Sequence, residues 1–136
     1  MKREILFRGK DRNGILNHSW LYGSLDNSNE DFPEIIYKDK WGNTIYADVL
    51  IKSVGQFTGL TDKNGKKIFE GDIVKSQQGK IFTICFKEGA FCWDDNKGYW
   101  YALDDSEFGY AYKGICDELE VIGNIHDNRN LIEVEQ

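Results

Sequence analysis

The chain is cut into short pieces by its turns, and that punctuation constrains its fold more than any other feature. Asn13-Gly14, Trp41-Gly42-Asn43, Asn64-Gly65, Gln78-Gly79, Glu88-Gly89 and Lys97-Gly98 separate short runs rich in β-branched and aromatic residues. Asn-Gly favours positive φ at both positions, the conformation of a tight hairpin turn. Regular short strands bounded in this way suggest an antiparallel barrel or sandwich. One Pro against 14 Gly leaves the turns to Gly and Asn. Aromatic residues, 14% of the chain, lean the same way because they fit a pleated, half-buried surface. With 40% apolar and 29% charged residues, global disorder is excluded, and 136 residues suffice for a core without metal or disulfide staples.

Strands are expected over Ile5–Gly9, Ile15–Leu25, Glu34–Lys38, Thr44–Val49, Lys80–Phe86, Ala90–Trp93, Tyr99–Leu103 and Leu119–Ile125. Period two puts His18, Trp20 and Tyr22 on one strand face. The stretch Asp48–Gly59 is expected to be extended rather than helical, and Asn128–Gln136 to be a short tail. The stretch Asp104–Cys116 fits either a single helical turn or irregular chain. Glu70-Gly71-Asp72-Ile73-Val74-Lys75 resembles the opening of a strand in small SH3-like barrels. Gly permits a sharp bend there, and Asp accepts hydrogen bonds from neighbouring loop N–H groups. The fold class expected is mostly β (β or α+β), with an N-terminal short-strand lobe over 1–58 and an SH3-like β-barrel with a closing strand over 59–136. The two are expected to pack as one compact unit.

Charge narrows the partners. Lys and Arg number 17 against 23 Asp and Glu, a net charge of −6, so the chain lacks the overall basic footprint that drives non-specific nucleic-acid affinity. Lys2, Arg3, Arg8, Lys10 and Arg12 nevertheless gather at the start. They fit either an edge strand guarded by charge or a phosphate-binding face. No run approaches the ~20 apolar residues of a membrane span, and the charged start lacks the apolar core of a signal peptide. The expected compartment is the reducing cytoplasm.

Each motif that carries chemistry has a plainer reading. Cys85, Cys92 and Cys116 are odd in number and form no CxxC pair, which argues against a disulfide framework and a zinc knuckle. Cys85, inside Ile81-Phe82-Thr83-Ile84-Cys85-Phe86, reads as a small buried hydrophobe. The glycines from Gly55 to Gly71 do not make a P-loop, since Lys66-Lys67 is followed by neither Ser/Thr nor a helix pattern. Asp94-Asp95 and Asp104-Asp105 with Glu107 lack EF-hand spacing and read as charged loops. His18 and His126 read as a strand residue and a turn residue, with no spacing rule tying them to Asp62 or Asp127. No catalytic, metal or cofactor-binding residue is expected.

Trp93, Tyr99, Trp100, Tyr101, Tyr110 and Tyr112 are the candidate interaction surface. Clustered aromatics on a small barrel grip peptides or stack bases, and they also build cores and interface hot spots. The acidic balance favours core and interface.

Three segments together resemble the YopX family of phage and prophage proteins: Arg3-Glu4-Ile5-Leu6-Phe7-Arg8-Gly9-Lys10, the block from Val54-Gly55-Gln56-Phe57-Thr58-Gly59 through Asn64-Gly65 to Glu70-Gly71-Asp72-Ile73-Val74, and Glu120-Val121-Ile122-Gly123-Asn124-Ile125. Their order covers residues 3 to about 132 and is silent between Asp94 and Asp117. The resemblance implies a mostly β protein with an SH3-like barrel in its second half, a mobile-element origin, work inside a bacterial host, and self-association. It carries no catalytic residue across. The expected role is a non-enzymatic accessory protein that binds protein partners, with a homo-oligomer expected. The alternative is a nucleic-acid-binding module using the basic N-terminal strand and exposed aromatics.

Overall fold

A computed structural model describes residues 4–13, 19–103 and 119–133. The chain divides into two compact units, residues 1–57 and 58–136.

In the first unit, β1 (Phe7–Lys10), β2 (Trp20–Asp26), β3 (Glu34–Lys38) and β4 (Thr44–Asp48) form an antiparallel meander. β5 (Gly55–Thr61) begins in this unit, where Gly55 and Gln56 pair with Arg8 and Phe7. β1 therefore has neighbours on both sides, and the edge-strand reading of its charges is corrected. Sequence shows that a strand is charged but not which strands flank it. The meander curls, and the residues after β4 return to the end of β1. Asp11 bridges Val49, Leu50 N–H donates to Lys10 C=O at 2.9 Å, and Arg12 N–H donates to Asp48 C=O at 2.9 Å. A 3-10 turn at Ile51–Ser53 interrupts the stretch expected to be extended. Its purpose is visible in Ser53, whose buried hydroxyl accepts from Lys10 N–H at 2.8 Å and donates to Leu50 C=O at 2.6 Å. Ile35, Val49, Phe57 and Pro33 fill the interior. Burying each large apolar side chain contributes about 1.5–3 kcal/mol.

The second unit holds the end of β5, β6 (Lys67–Phe69), β7 (Asp72–Lys75), β8 (Ile81–Lys87), β9 (Ala90–Asp94), β10 (Trp100–Ala102), β11 (Glu120–Asn124) and the helical turn α1 (Asn130–Glu133). α1 lies where a plain tail was expected. Antiparallel pairing gives the sheet order β10-β9-β8-β7-β11. Among the described residues this ladder does not close on itself, and the fold is mostly β, built on two antiparallel sheets.

The turn chemistry read from sequence operates locally. Asp72, 2% exposed, accepts Phe69 N–H at 2.7 Å, while Gly71 takes φ 93° to make the bend between β6 and β7. Glu88-Gly89 has φ 52° and 81°, the two positive values of a tight hairpin turn. The β5–β6 hairpin turns at Asn64-Gly65 under Asp62, whose Oδ1 accepts Asn64 N–H at 2.8 Å and Lys66 N–H at 2.9 Å. The other oxygen of Asp62 reaches across 59 residues to Val121 N–H at 2.9 Å, and Lys63 N–H donates to Leu119 C=O at 2.9 Å. The hairpin is thus fastened to the edge of β11 that β7 leaves open. Ile68 of β6 is buried with Val74, Phe82, Ile84, Leu103 and Leu119, and Leu60 packs against them, so hairpin and sheet share one core. No helix among the described residues is long and apolar enough to cross a membrane.

Candidate functional site

Alternation along β9 and β10 decides which aromatics can act together. Tyr101 stands opposite Trp93, whereas Trp100 stands opposite Asp94. Directly opposed residues share a sheet face and successive ones point to opposite faces. Trp93 and Tyr101 accordingly lie on the core side, with ring centroids 5.3 Å apart, and Trp93 meets Phe82 edge-on at 4.5 Å. Trp100 lies on the reverse face, where the Lys87 ammonium sits 5.9 Å from its ring centre. Tyr99 precedes the strand and is 66% exposed. The cluster of six is therefore divided, and two of its members, Tyr110 and Tyr112, lie outside the described residues.

Trp93 and Tyr101 line a cleft of about 610 Å³, within the range of small-molecule pockets. Phe82 and Leu119 contribute apolar surface to it, and Lys80 and Lys97 add charge. Tyr101 is 51% exposed, so its ring is available for contact. Two hydrogen-bonded turns flank the opening. In the first, Ser76 Oγ accepts Lys80 N–H at 3.2 Å, and Gly79 N–H donates to Ser76 C=O at 3.0 Å. In the second, Asp95 Oδ1 accepts Lys97 N–H at 2.8 Å and Tyr99 N–H at 3.1 Å, while Asp94 Oδ1 accepts Asn96 N–H at 2.7 Å. Asp94 and Asp95 are thus turn-forming acids, as Asx-turn chemistry requires. Asp104, Asp105 and Glu107 lie outside the described residues, as do His18 and Cys116. His126 is a turn residue whose N–H donates to Asn124 Oδ1 at 2.9 Å, and both carboxylate oxygens of Asp62 serve the hairpin and β11.

The reverse face carries a charge pair that sequence reasoning missed. Lys87 Nζ donates to Asp94 Oδ2 at 2.8 Å. That hydrogen bond raises the affinity of Lys87 for its proton. For Asp94, burial works to raise the carboxyl, but the Lys87 ammonium and the Asn96 N–H together hold it below its ordinary 3.8. Any stability this depression contributes is complete above pH 3.8 and is lost as pH falls through the lower folded value. Lys87→Met should move the Asp94 midpoint upward in a carboxyl NMR titration, because burial then acts with less opposition. An unmoved midpoint would show that Lys87 does not set it.

On the same face Cys85 and Cys92 are directly opposed, with their Sγ atoms 2.8 Å apart. Burial, followed by the neighbouring Cys92 thiol, pushes Cys85 up to about 12. Cys85 is half-buried rather than fully buried, and Cys92 is the enclosed member of the pair. The numbering held a signal for this pairing, since 85 and 92 are equidistant from the Glu88-Gly89 turn.

The basic start of the chain is divided too. Arg8 is only 5% exposed, and its guanidinium lies 4.4 Å from the Trp20 ring centre. Lys10 Nζ approaches the same ring at 5.6 Å, and Arg12 sits 4.1 Å from the Phe32 ring centre. These are cation–π contacts within the first unit, and they take Arg8 out of any phosphate-facing row. Lys2 and Arg3 lie outside the described residues.

Comparison with known proteins places this geometry in a wider setting. The family model described as YopX protein matches residues 6–133. The crystal structure of protein EF1440 from Enterococcus faecalis is similar, with a TM-score of 0.57 and 25% identity over 96% of this chain and 99% of that one. No curated protein matches.

Proposed function

The chain belongs to the YopX family, and from that premise we propose that it is a non-enzymatic accessory protein of phage or prophage origin that binds an extended protein segment in the Trp93–Tyr101 cleft. The observation that carries this reading is the cleft itself. A half-exposed tyrosine and a packed tryptophan stand over apolar surface, between two turns held by their own hydrogen bonds. Rigid aromatic anchors of this kind are what interface hot spots are made of. The SH3-like barrel belongs to the same proposal. It is supported by the β5–β6 hairpin, which shares a core with the five-stranded sheet and is fastened to β11 by Asp62 and Lys63. The bacterial host's cytoplasm is the working compartment in this reading, and a second copy of the chain is the first partner to test. The nucleic-acid alternative is weakened by the burial of Arg8.

The test pairs light scattering of the protein with a random peptide library panned on it. Tyr101→Ala should weaken self-association or the enriched peptides by about tenfold or more, roughly 1.4 kcal/mol for one hot-spot ring. Tyr46→Ala, an exposed ring of the first unit, should leave binding unchanged. Ligands that bind the Tyr101→Ala and unsubstituted proteins equally well would sink the proposal.

A further inference from the structure

The face of β8 and β9 away from the cleft carries a second chemistry. Cys85 and Cys92 are register partners in an antiparallel pair. Such partners have Cα atoms about 4.5 or 5.5 Å apart, and both values fall within the roughly 4.4–6.8 Å that a disulfide spans. The sulfurs, at 2.8 Å, are closer than an ordinary non-bonded contact and within about 0.8 Å of the ~2.05 Å bond length. Each sulfur also faces the other residue's carbonyl oxygen, Cys85 Sγ to Cys92 O at 3.7 Å and Cys92 Sγ to Cys85 O at 3.6 Å. No side chain lies between them. Their exposures differ: Cys92 is fully buried and Cys85 is half-buried, so a reagent meets Cys85 first.

We propose that Cys85 and Cys92 are a reversible dithiol–disulfide pair, oxidised by exchange with a low-molecular-weight disulfide. In the first step the Cys85 thiolate attacks one sulfur of the small disulfide. A Cys85–S–S–R bond forms, the R–S–S–R bond breaks, and one RS⁻ leaves. In the second step the Cys92 thiolate attacks Cys85 Sγ, closing Cys85–S–S–Cys92 and expelling a second RS⁻. The two protein thiols lose two electrons and two protons, and the small disulfide gains both as two molecules of RSH. Burial of Cys85 keeps it largely protonated at neutral pH and slows the first step, so oxidation follows sustained rather than brief exposure.

The full chain carrying Cys116→Ser is reduced, freed of reductant and incubated for hours with oxidised glutathione at mildly alkaline pH. Intact mass should fall by about 2 Da, the two hydrogens lost, and after denaturation neither remaining cysteine should react with N-ethylmaleimide. Dithiothreitol should restore both thiols. Adding Cys92→Ser should stop the reaction at a glutathione adduct on Cys85. Two thiols still open to alkylation, or a lasting adduct when Cys92 is present, would overturn the proposal. Should the Cys116→Ser chain fail to fold, peptide mapping of the unsubstituted protein decides instead. A Cys85–Cys92 link supports the pair, and a link from either residue to Cys116 overturns it.

Discussion

Replacing Asp62 by alanine is expected to lower stability by about 3–5 kcal/mol, the upper end for a single substitution. Three backbone N–H groups lose a charged acceptor at once, those of Asn64, Lys66 and Val121. A hydrogen bond to a charged group contributes about 1.5–3 kcal/mol, and water can replace part of what the exposed Asn64 and Lys66 lose. The sum is less than additive because the three bonds share one side chain. Asp62→Asn separates geometry from charge. It keeps one acceptor oxygen and turns a second donor towards the partners of the other, so a loss of about 2 kcal/mol is expected. Urea unfolding midpoints at constant slope measure both variants. A loss under about 1 kcal/mol for Asp62→Ala would mean that the β5–β6 hairpin is held to β11 by its core contacts instead.

Gly23→Ala should be about as damaging, for a steric reason. A Cβ at Gly23 would lie 2.1 Å from Ile36 O and 3.0 Å from Ile36 C. Both are backbone atoms of β3, so no side chain can swing aside. Only separation of β2 from β3 relieves the clash, which forfeits the pairing of Ser24, Leu25 and Asp26 with Ile36, Ile35 and Glu34. The cost is about 3 kcal/mol or more, above the usual range for an added methylene in a packed site. Amide hydrogen exchange should show protection lost along β2 and β3, while Ser24→Ala, one residue on, leaves it intact. Retained protection in Gly23→Ala would rule out the steric account.

Local chemistry was legible in the sequence, and long-range neighbours were not. Asn64-Gly65, Gln78-Gly79 and Glu88-Gly89 mark turns because each needs backbone conformations that few residues adopt. Gly71-Asp72 works as its residue types imply, with Asp72 receiving Phe69 N–H. The second flank of β1, made by β5, and the reach of Asp62 to Val121 depend on contacts dozens of residues apart, which no local pattern encodes. The 3-10 turn at Ile51–Ser53 escaped because β-branched residues argued for extension, and the Ser53 hydroxyl bridging Lys10 and Leu50 outweighed them. The candidate site lies between these cases. Crowding pointed to Trp93 and Tyr101, but density along the chain is blind to facing. Counting outward from Glu88-Gly89 would have set Trp93 apart from Cys92 and brought Cys92 to Cys85.

The two-residue turn at Glu88-Gly89 also governs how this hairpin can tolerate gain or loss of residues. One residue added there, with β8 held in place, rotates every side chain of β9 to the other face. Trp93 would leave the cleft and Phe82, while Cys92 and Asp94 would turn into the apolar core. Two added residues restore the facing, provided the longer loop makes its own turn. Length change at this corner is therefore filtered by parity, with even steps survivable and odd steps ruinous.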